Sequence, residues 1–118
     1  MKRPARLPDL TRYQEAVDEL WGVPRWDVLS VTAAAGVGKE TLYLADATAG
    51  AFDLTLPLAS TVPQRVYGIK KIDAGGNAVG FARSGADTID GSTSRTTATQ
   101  YATVWVISNG LLWYRLIV

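Results

Sequence analysis

The sequence predicts a mainly β domain, a small antiparallel β-sandwich of about seven short strands with one N-terminal α-helix, assembled as a homotrimer. Three observations point there. The composition changes near residue 40: Glu15, Glu19 and Glu40 lie at or before it and most threonines after it, so helix-favouring charge gives way to strand-favouring residues. Phe52, Leu54 and Leu56 alternate with Asp53 and Thr55, the period of a half-buried strand. Asn109 and Gly110 sit between two apolar runs and signal a tight two-residue hairpin.

Taken in order, the first element is helical. Leu10, Tyr13, Val17, Leu20 and Trp21 recur at helical spacing; Asp9 or Thr11 can cap the first amides, and Gly22 followed by Pro24 ends the segment. A helix of about 12 residues is marginal alone in water, so this stripe must dock, either on the chain's own β core or on another protein. Trp21 and Trp26 flank a short irregular run and suit either a plug over a domain end or an interface. Beyond Gly36 the chain reads as short strands. Thr41 to Ala45 places Leu42 and Leu44 on one face, and Pro57 stops the strand that begins at Phe52. Val66 to Ile72 and Val79 to Arg83 flank Asp73, Ala74, Gly75, Gly76 and Asn77 and read as a hairpin.

The last hairpin allows its faces to be read. Pairing Ser108 with Leu111 sets Ile107 opposite Leu112, Trp105 opposite Tyr114, Thr103 opposite Leu116 and Tyr101 opposite Val118, a nearly wholly apolar face expected in the core. The reverse face carries Val104, Val106 and Trp113 and is too apolar for solvent. A helix, a second sheet of the same chain or a neighbouring subunit can cover it. A small domain without staples gains most from the neighbour, so Val104, Val106 and Trp113 are expected at a subunit interface, with three-fold or two-fold symmetry.

Composition narrows the chemistry. At 118 residues the chain suits one domain, and 19% charged against 47% hydrophobic residues argues for a folded core. A formal charge of +1 gives no field that would favour nucleic acid, and no apolar run is long enough to insert in a membrane. The basic start lacks the apolar core of a secretory signal. Cysteine and histidine are both absent, which removes disulfides, thiolate chemistry and the commonest general base and metal ligand.

Several motifs invite chemistry and read more simply as structure. Gly36, Val37, Gly38, Lys39 resembles the end of a phosphate loop, but Ala33 stands where a glycine is needed and Glu40 where Ser or Thr is needed. Asp87 and Asp90, with Asp73 upstream, are a candidate carboxylate pair for hydrolysis or a hard cation; as Asp87, Thr88, Ile89, Asp90, Gly91 they form a turn in which Gly91 takes positive φ. Lys70 and Lys71 near Tyr67 and Phe81 point to opposite sides of a strand and are read as solvated charges. Residues 92–99, rich in Ser and Thr, are a polar edge or a carbohydrate-facing surface.

The run Leu54, Thr55, Leu56, Pro57, then Ile69, Lys70, Lys71, Ile72, Asp73, then Asn77 and Val79, then residues 85–91, and finally Ser108, Asn109, Gly110, Trp113 and Tyr114 resembles a small β-module of tailed-bacteriophage virion proteins, found in fibres, spikes, knobs and head decorations. The likeness covers residues 42–118. It implies a structural, usually trimeric, virion module that in some members contacts a host surface, with no catalytic residues, cofactor or metal. The expected organisation is an anchor and linker over residues 1–40 and a β-module over 41–118. Leu10, Tyr13, Val17, Leu20 and Trp21 would anchor it to a phage capsid or tail protein, and a host surface glycan is a further expected partner. A soluble lectin-like carbohydrate-binding domain using Tyr67 and the Thr-rich run is the alternative.

Overall fold

The computed structural model describes residues 27–116. The expected N-terminal helix and its five stripe residues, Leu10, Tyr13, Val17, Leu20 and Trp21, lie outside the described residues. Nine strands follow: β1 (Val28–Val31), β2 (Ala35–Gly36), β3 (Leu42–Ala45), β4 (Phe52–Thr55), β5 (Val66–Lys71), β6 (Val79–Ala82), β7 (Ser94–Thr97), β8 (Thr103–Ser108) and β9 (Trp113–Arg115). A single 3-10 turn at Ala59–Thr61 is the only helical element among the described residues.

The strands form two sheets, one ordered β1-β3-β5-β8-β9 and the other β2-β4-β6-β7. For its first six strands the chain alternates between sheets, so β1, β3 and β5 stack in parallel in one and β2, β4 and β6 stack in parallel in the other. These are three successive turns of a flattened coil. The chain then reverses: β7 pairs antiparallel with β6, β8 with β5, and β9 with β8. The fold is mainly β, as expected, but the sheets are mixed and not antiparallel. Parallel neighbours need a crossover, and here each crossover runs through a strand of the opposite sheet.

That alternation corrects one hairpin. β5 and β6, read from their turn as partners, belong to different sheets. Side chains in residues 73–77 steer the chain across. The Asp73 carboxylate accepts the Ala47 amide at 2.8 Å and the Gly75 amide at 3.1 Å, while Asn77 Nδ2 donates to the Ala47 carbonyl at 2.8 Å. The corner after β5 is therefore stitched to the corner after β3. Lys71, fully buried and not solvated, donates from Nζ to Asp73 at 2.7 Å, so its charge is neutralised where it leaves water.

The core lies between the sheets. Tyr43, Ala45, Tyr67, Ile69, Val104, Val106 and Trp113 from one sheet meet Phe52, Leu54, Val79 and Phe81 from the other, with Leu56, Ala59 and Ile89 closing it from the connections. Val104, Val106 and Trp113 are thus inside the chain, at 7%, 0% and 0% exposure, and the cover over their face is the chain's own second sheet. The opposite face, assigned to the core from sequence, carries half-buried Trp105 and Ile107 and exposed Tyr114. Gly68 explains the inversion. It pairs with Trp105, and a Cβ at Gly68 would lie 2.5 Å from the Trp105 ring, so the indole lies flat on the outside of the sheet over a glycine.

The hairpin register differs as well. Ile107 faces Tyr114 and Ser108 faces Trp113, because the Asn109 amide bonds the Leu112 carbonyl and the central turn residues are Gly110 and Leu111. Only Gly110 of these has positive φ, 89°, which is the pattern of a type II′ turn. The Asn109 carboxamide accepts both the Leu111 and Leu112 amides at 2.9 Å, a use of Asn outside the turn centre. Moving the turn by one residue shifts the pairing by two and preserves which residues share a face.

Candidate functional site

The two ends of the stack differ, and the difference locates the surfaces open to a partner. One end is closed. Asp90 and Gly91 hold φ of 51° and 77°, and Ile89 and Ser92 exchange two backbone hydrogen bonds across them, so the turn expected with Gly91 at positive φ is a type I′ hairpin turn in which Asp90 shares that conformation. This turn is fastened to β9: the Trp113 amide donates to the Thr88 carbonyl, and the Asp90 amide donates to the Trp113 carbonyl. Arg95 of β7 donates to the Ile89 and Asp90 carbonyls at 3.0 and 2.8 Å. Trp113 Nε1 donates to the Pro57 carbonyl at 3.1 Å, and its ring lies 5.7 Å from that of Tyr67. Indole, turn and arginine together seal the core.

The candidate carboxylates are spent on this closure. Asp87 accepts the Ala59 amide at 2.8 Å, and Asp90 accepts the Arg115 amide at 3.1 Å while its other oxygen meets the Arg115 guanidinium at 3.3 Å. Asp73 is held to about 2, well below the usual carboxylate range, first by the Lys71 ammonium and then by the Ala47 amide. All three act as ties between segments. Among the described residues no group of three or more His, Cys, Asp or Glu side chains is placed to hold a metal ion, and no helix is long and apolar enough to cross a membrane.

The loop resembling a phosphate cradle is also used internally. The Gly38 amide donates to the Tyr43 hydroxyl at 2.7 Å, and that hydroxyl donates to Glu40 at 3.3 Å. Burial, with the nearby Glu40 charge, pushes the Tyr43 phenol up despite the opposing Gly38 amide. Tyr67, offered as a sugar-stacking ring, is buried at 3% exposure, and its hydroxyl donates to the Gly38 carbonyl. Arg65 covers the Tyr67 ring at 5.0 Å and donates to the Lys39 carbonyl.

Among the exposed surfaces of the described residues, two stand out. At one corner Tyr101 is 63% exposed, in a left-handed conformation with φ of 67°, and Lys70 reaches within 5.9 Å of its ring. No spacing in the sequence announced this aromatic and cation; only the antiparallel return of β8 brings residue 101 to residue 70. The second surface is the end opposite the closed one, formed by the edge strands β1 and β2. Val28 and Leu29 are 50% and 44% exposed there. Residues 28–36, placed by the sequence reading in a linker, are therefore the first turn of the coil. Comparison with protein-family models and with curated proteins returns no match for this chain.

Proposed function

We propose that this chain is a non-enzymatic structural module of a tailed-phage virion, a short head or tail appendage that self-associates and projects its β-stack outward. The observation that carries the reading is the use of polar side chains: Asp73, Asp87, Asp90, Tyr67 and Ser108 all bond backbone groups of distant segments, as suits a stiff stack built to hold shape. The resemblance over residues 42–118 supplies the virion class. It implies three-fold assembly, whereas the hairpin face that called for a neighbour is filled from within the chain, so any subunit contact falls on other surfaces. Residues 1–26 attach the module through Leu10, Tyr13, Val17, Leu20 and Trp21.

Immunogold electron microscopy of induced lysates tests this, using an antibody to the β-module. The expected result is label on particles, lost when residues 1–26 are deleted while the remaining chain keeps its thermal midpoint. Unlabelled particles alongside abundant soluble protein would overturn it. The exposed Tyr101 with Lys70 favours one second reading, a lectin-like surface in which the ring stacks on a sugar and β7 supplies hydroxyls. A glycan array decides that reading, with binding abolished in Tyr101→Ala as its expected signature.

A further inference from the structure

We propose that the open end of the stack is the self-association surface, and that two copies join β1 to β1 in antiparallel pairing about a two-fold axis at Leu29. This rests on the self-association in the proposed function and names its contact, with a two-fold symmetry in place of the three-fold one that the resemblance implies.

The first argument is backbone chemistry. The carbonyls of Asp27 and Val31 point inward to the neighbouring strand, accepting the amides of Thr41, Leu42 and Asp46. By the alternation of a strand, the N–H and C=O groups of Val28 and Ser30 point away from β3, along an edge with which no other described strand pairs. An edge left unpaired is a template for another strand, and native edges are normally blunted by charge, proline or a bulge. The sequence Val-Leu-Ser-Val carries neither charge nor proline, and it runs in unbroken register with β3.

The second argument is the core. Leu29 is in register with Tyr43, a core residue, and so shares its inward face, yet it is 44% exposed, with no further strand beyond it among the described residues. The opposite end is sealed by Trp113 and Ile89, both fully buried. This end has an inward-facing leucine that the described residues leave 44% exposed.

The occupant must supply a strand. The chain before Asp27 is a poor source, since residues 9–21 carry a helical period and only the short stretch 22–26, with Gly22 and Pro24, remains before β1. A parallel neighbour would also need a crossover of about a dozen residues or more. A second copy supplies β1 itself. Setting Val28 opposite Ser30 of the other copy, and Ser30 opposite its Val28, engages every outward group and places Leu29 over its own counterpart. An axis normal to both sheets brings the two β2 edges together in the same operation, so both sheets become continuous across one shared core. Like-with-like edge pairing is isologous and closes at two copies, not three.

The absence of cysteine makes the test clean. In Leu29→Cys the two thiols would face each other at a non-hydrogen-bonded position, where Cα atoms lie about 4.5 Å apart, within disulfide reach. The expected result on mild oxidation of the purified full chain at micromolar concentration is a covalent dimer on a non-reducing gel. Thr96→Cys, on the β7 edge, stays monomeric in the same gel. Light scattering of the unmutated chain should give twice the 12.7 kDa subunit mass. Ser30→Pro, which removes an outward amide without touching the β3 ladder, should return the mass to one subunit with an unchanged circular dichroism spectrum. Equal cross-linking at positions 29 and 96, or an unmutated chain that is monomeric or trimeric, overturns the edge pairing. Particle labelling is read independently, so the virion assignment stands or falls by a separate result.

Discussion

Replacing Trp113 with alanine tests the most consequential rearrangement the fold makes, the transfer of this side chain from an expected subunit contact to the core. The indole is fully buried, packs on Tyr67 at 5.7 Å with ring planes tilted by 42°, and donates to the Pro57 carbonyl at 3.1 Å. Truncation leaves a cavity between Tyr67 and Ile89 and an orphaned carbonyl, a class of change that costs about 3–5 kcal/mol. Against a total stability of about 5–15 kcal/mol for a domain of this size, that is a large fraction. With a urea slope of about 2 kcal/mol/M the midpoint should fall by about 2 M. Trp113→Phe keeps a ring against Tyr67 and loses the indole donor, so it should fall by less, about 1–3 kcal/mol. The assay is equilibrium urea unfolding followed by far-ultraviolet circular dichroism at two protein concentrations. A core residue gives a loss independent of concentration, whereas an interface residue gives one that grows on dilution. A Trp113→Ala midpoint within about 0.3 M of the unmutated protein, or a loss appearing only at low concentration, would refute the placement of Trp113 inside the chain.

Other outcomes follow from particular contacts. A Cβ at Gly80 would fall 2.6 Å from Thr96 Cα and still closer to the Arg95 carbonyl, both backbone atoms that no rotamer change can move. Gly80→Ala should therefore cost about 1–3 kcal/mol or more and expose the β6–β7 amides to hydrogen exchange ahead of the β3–β5 amides; a fully protected β7 would contradict this. Because folding lowers the Asp73 carboxyl to about 2 from an ordinary 3.8, its contribution to stability is complete above about pH 4 and is lost as the pH falls toward 2. Unfolding free energy measured from pH 5 to pH 2 should thus decline, and Asp73→Asn should flatten that decline while lowering stability at neutral pH. Asp53 has the opposite sign: burial raises its carboxyl, so the charged form is disfavoured in the folded chain and stability is lost as the pH rises through its pKa. Asp53→Asn should raise the thermal midpoint at pH 7 and leave it unchanged at pH 3.

What the sequence determined by itself was local. The strands built on Leu42, Phe52, Val66, Val79 and Val104 form where period and β-propensity put them, since alternation of side chains is a property of the extended backbone alone. The Asp90–Gly91 turn forms for an equally local reason: two positive φ angles in succession suit Asp and Gly and few other pairs. Which face of the last hairpin lies inside was beyond local reading, because Val104, Val106 and Trp113 on one side and Trp105 and Ile107 on the other are similarly apolar. Gly68, thirty-seven residues before its partner Trp105, decided it by offering a flat seat to an indole on the outer face. Strand partnership was decided at the same level. The turn after β5 looks like a hairpin, yet Asp73 and Asn77 find their partners at Ala47, one coil back, and carry the chain into the other sheet. β1 and β2 are strands for the same reason: Val-Leu-Ser-Val is too short to announce itself, and it is extended because its backbone accepts amides on and beside β3. Periodicity along a chain records how each segment presents its faces. Which segment it faces depends on pairings made across the sequence, and here those pairings, set by one glycine and a few side-chain bonds to backbone, turned a predicted sandwich of hairpins into a coil with one sealed end and, among the described residues, one open end.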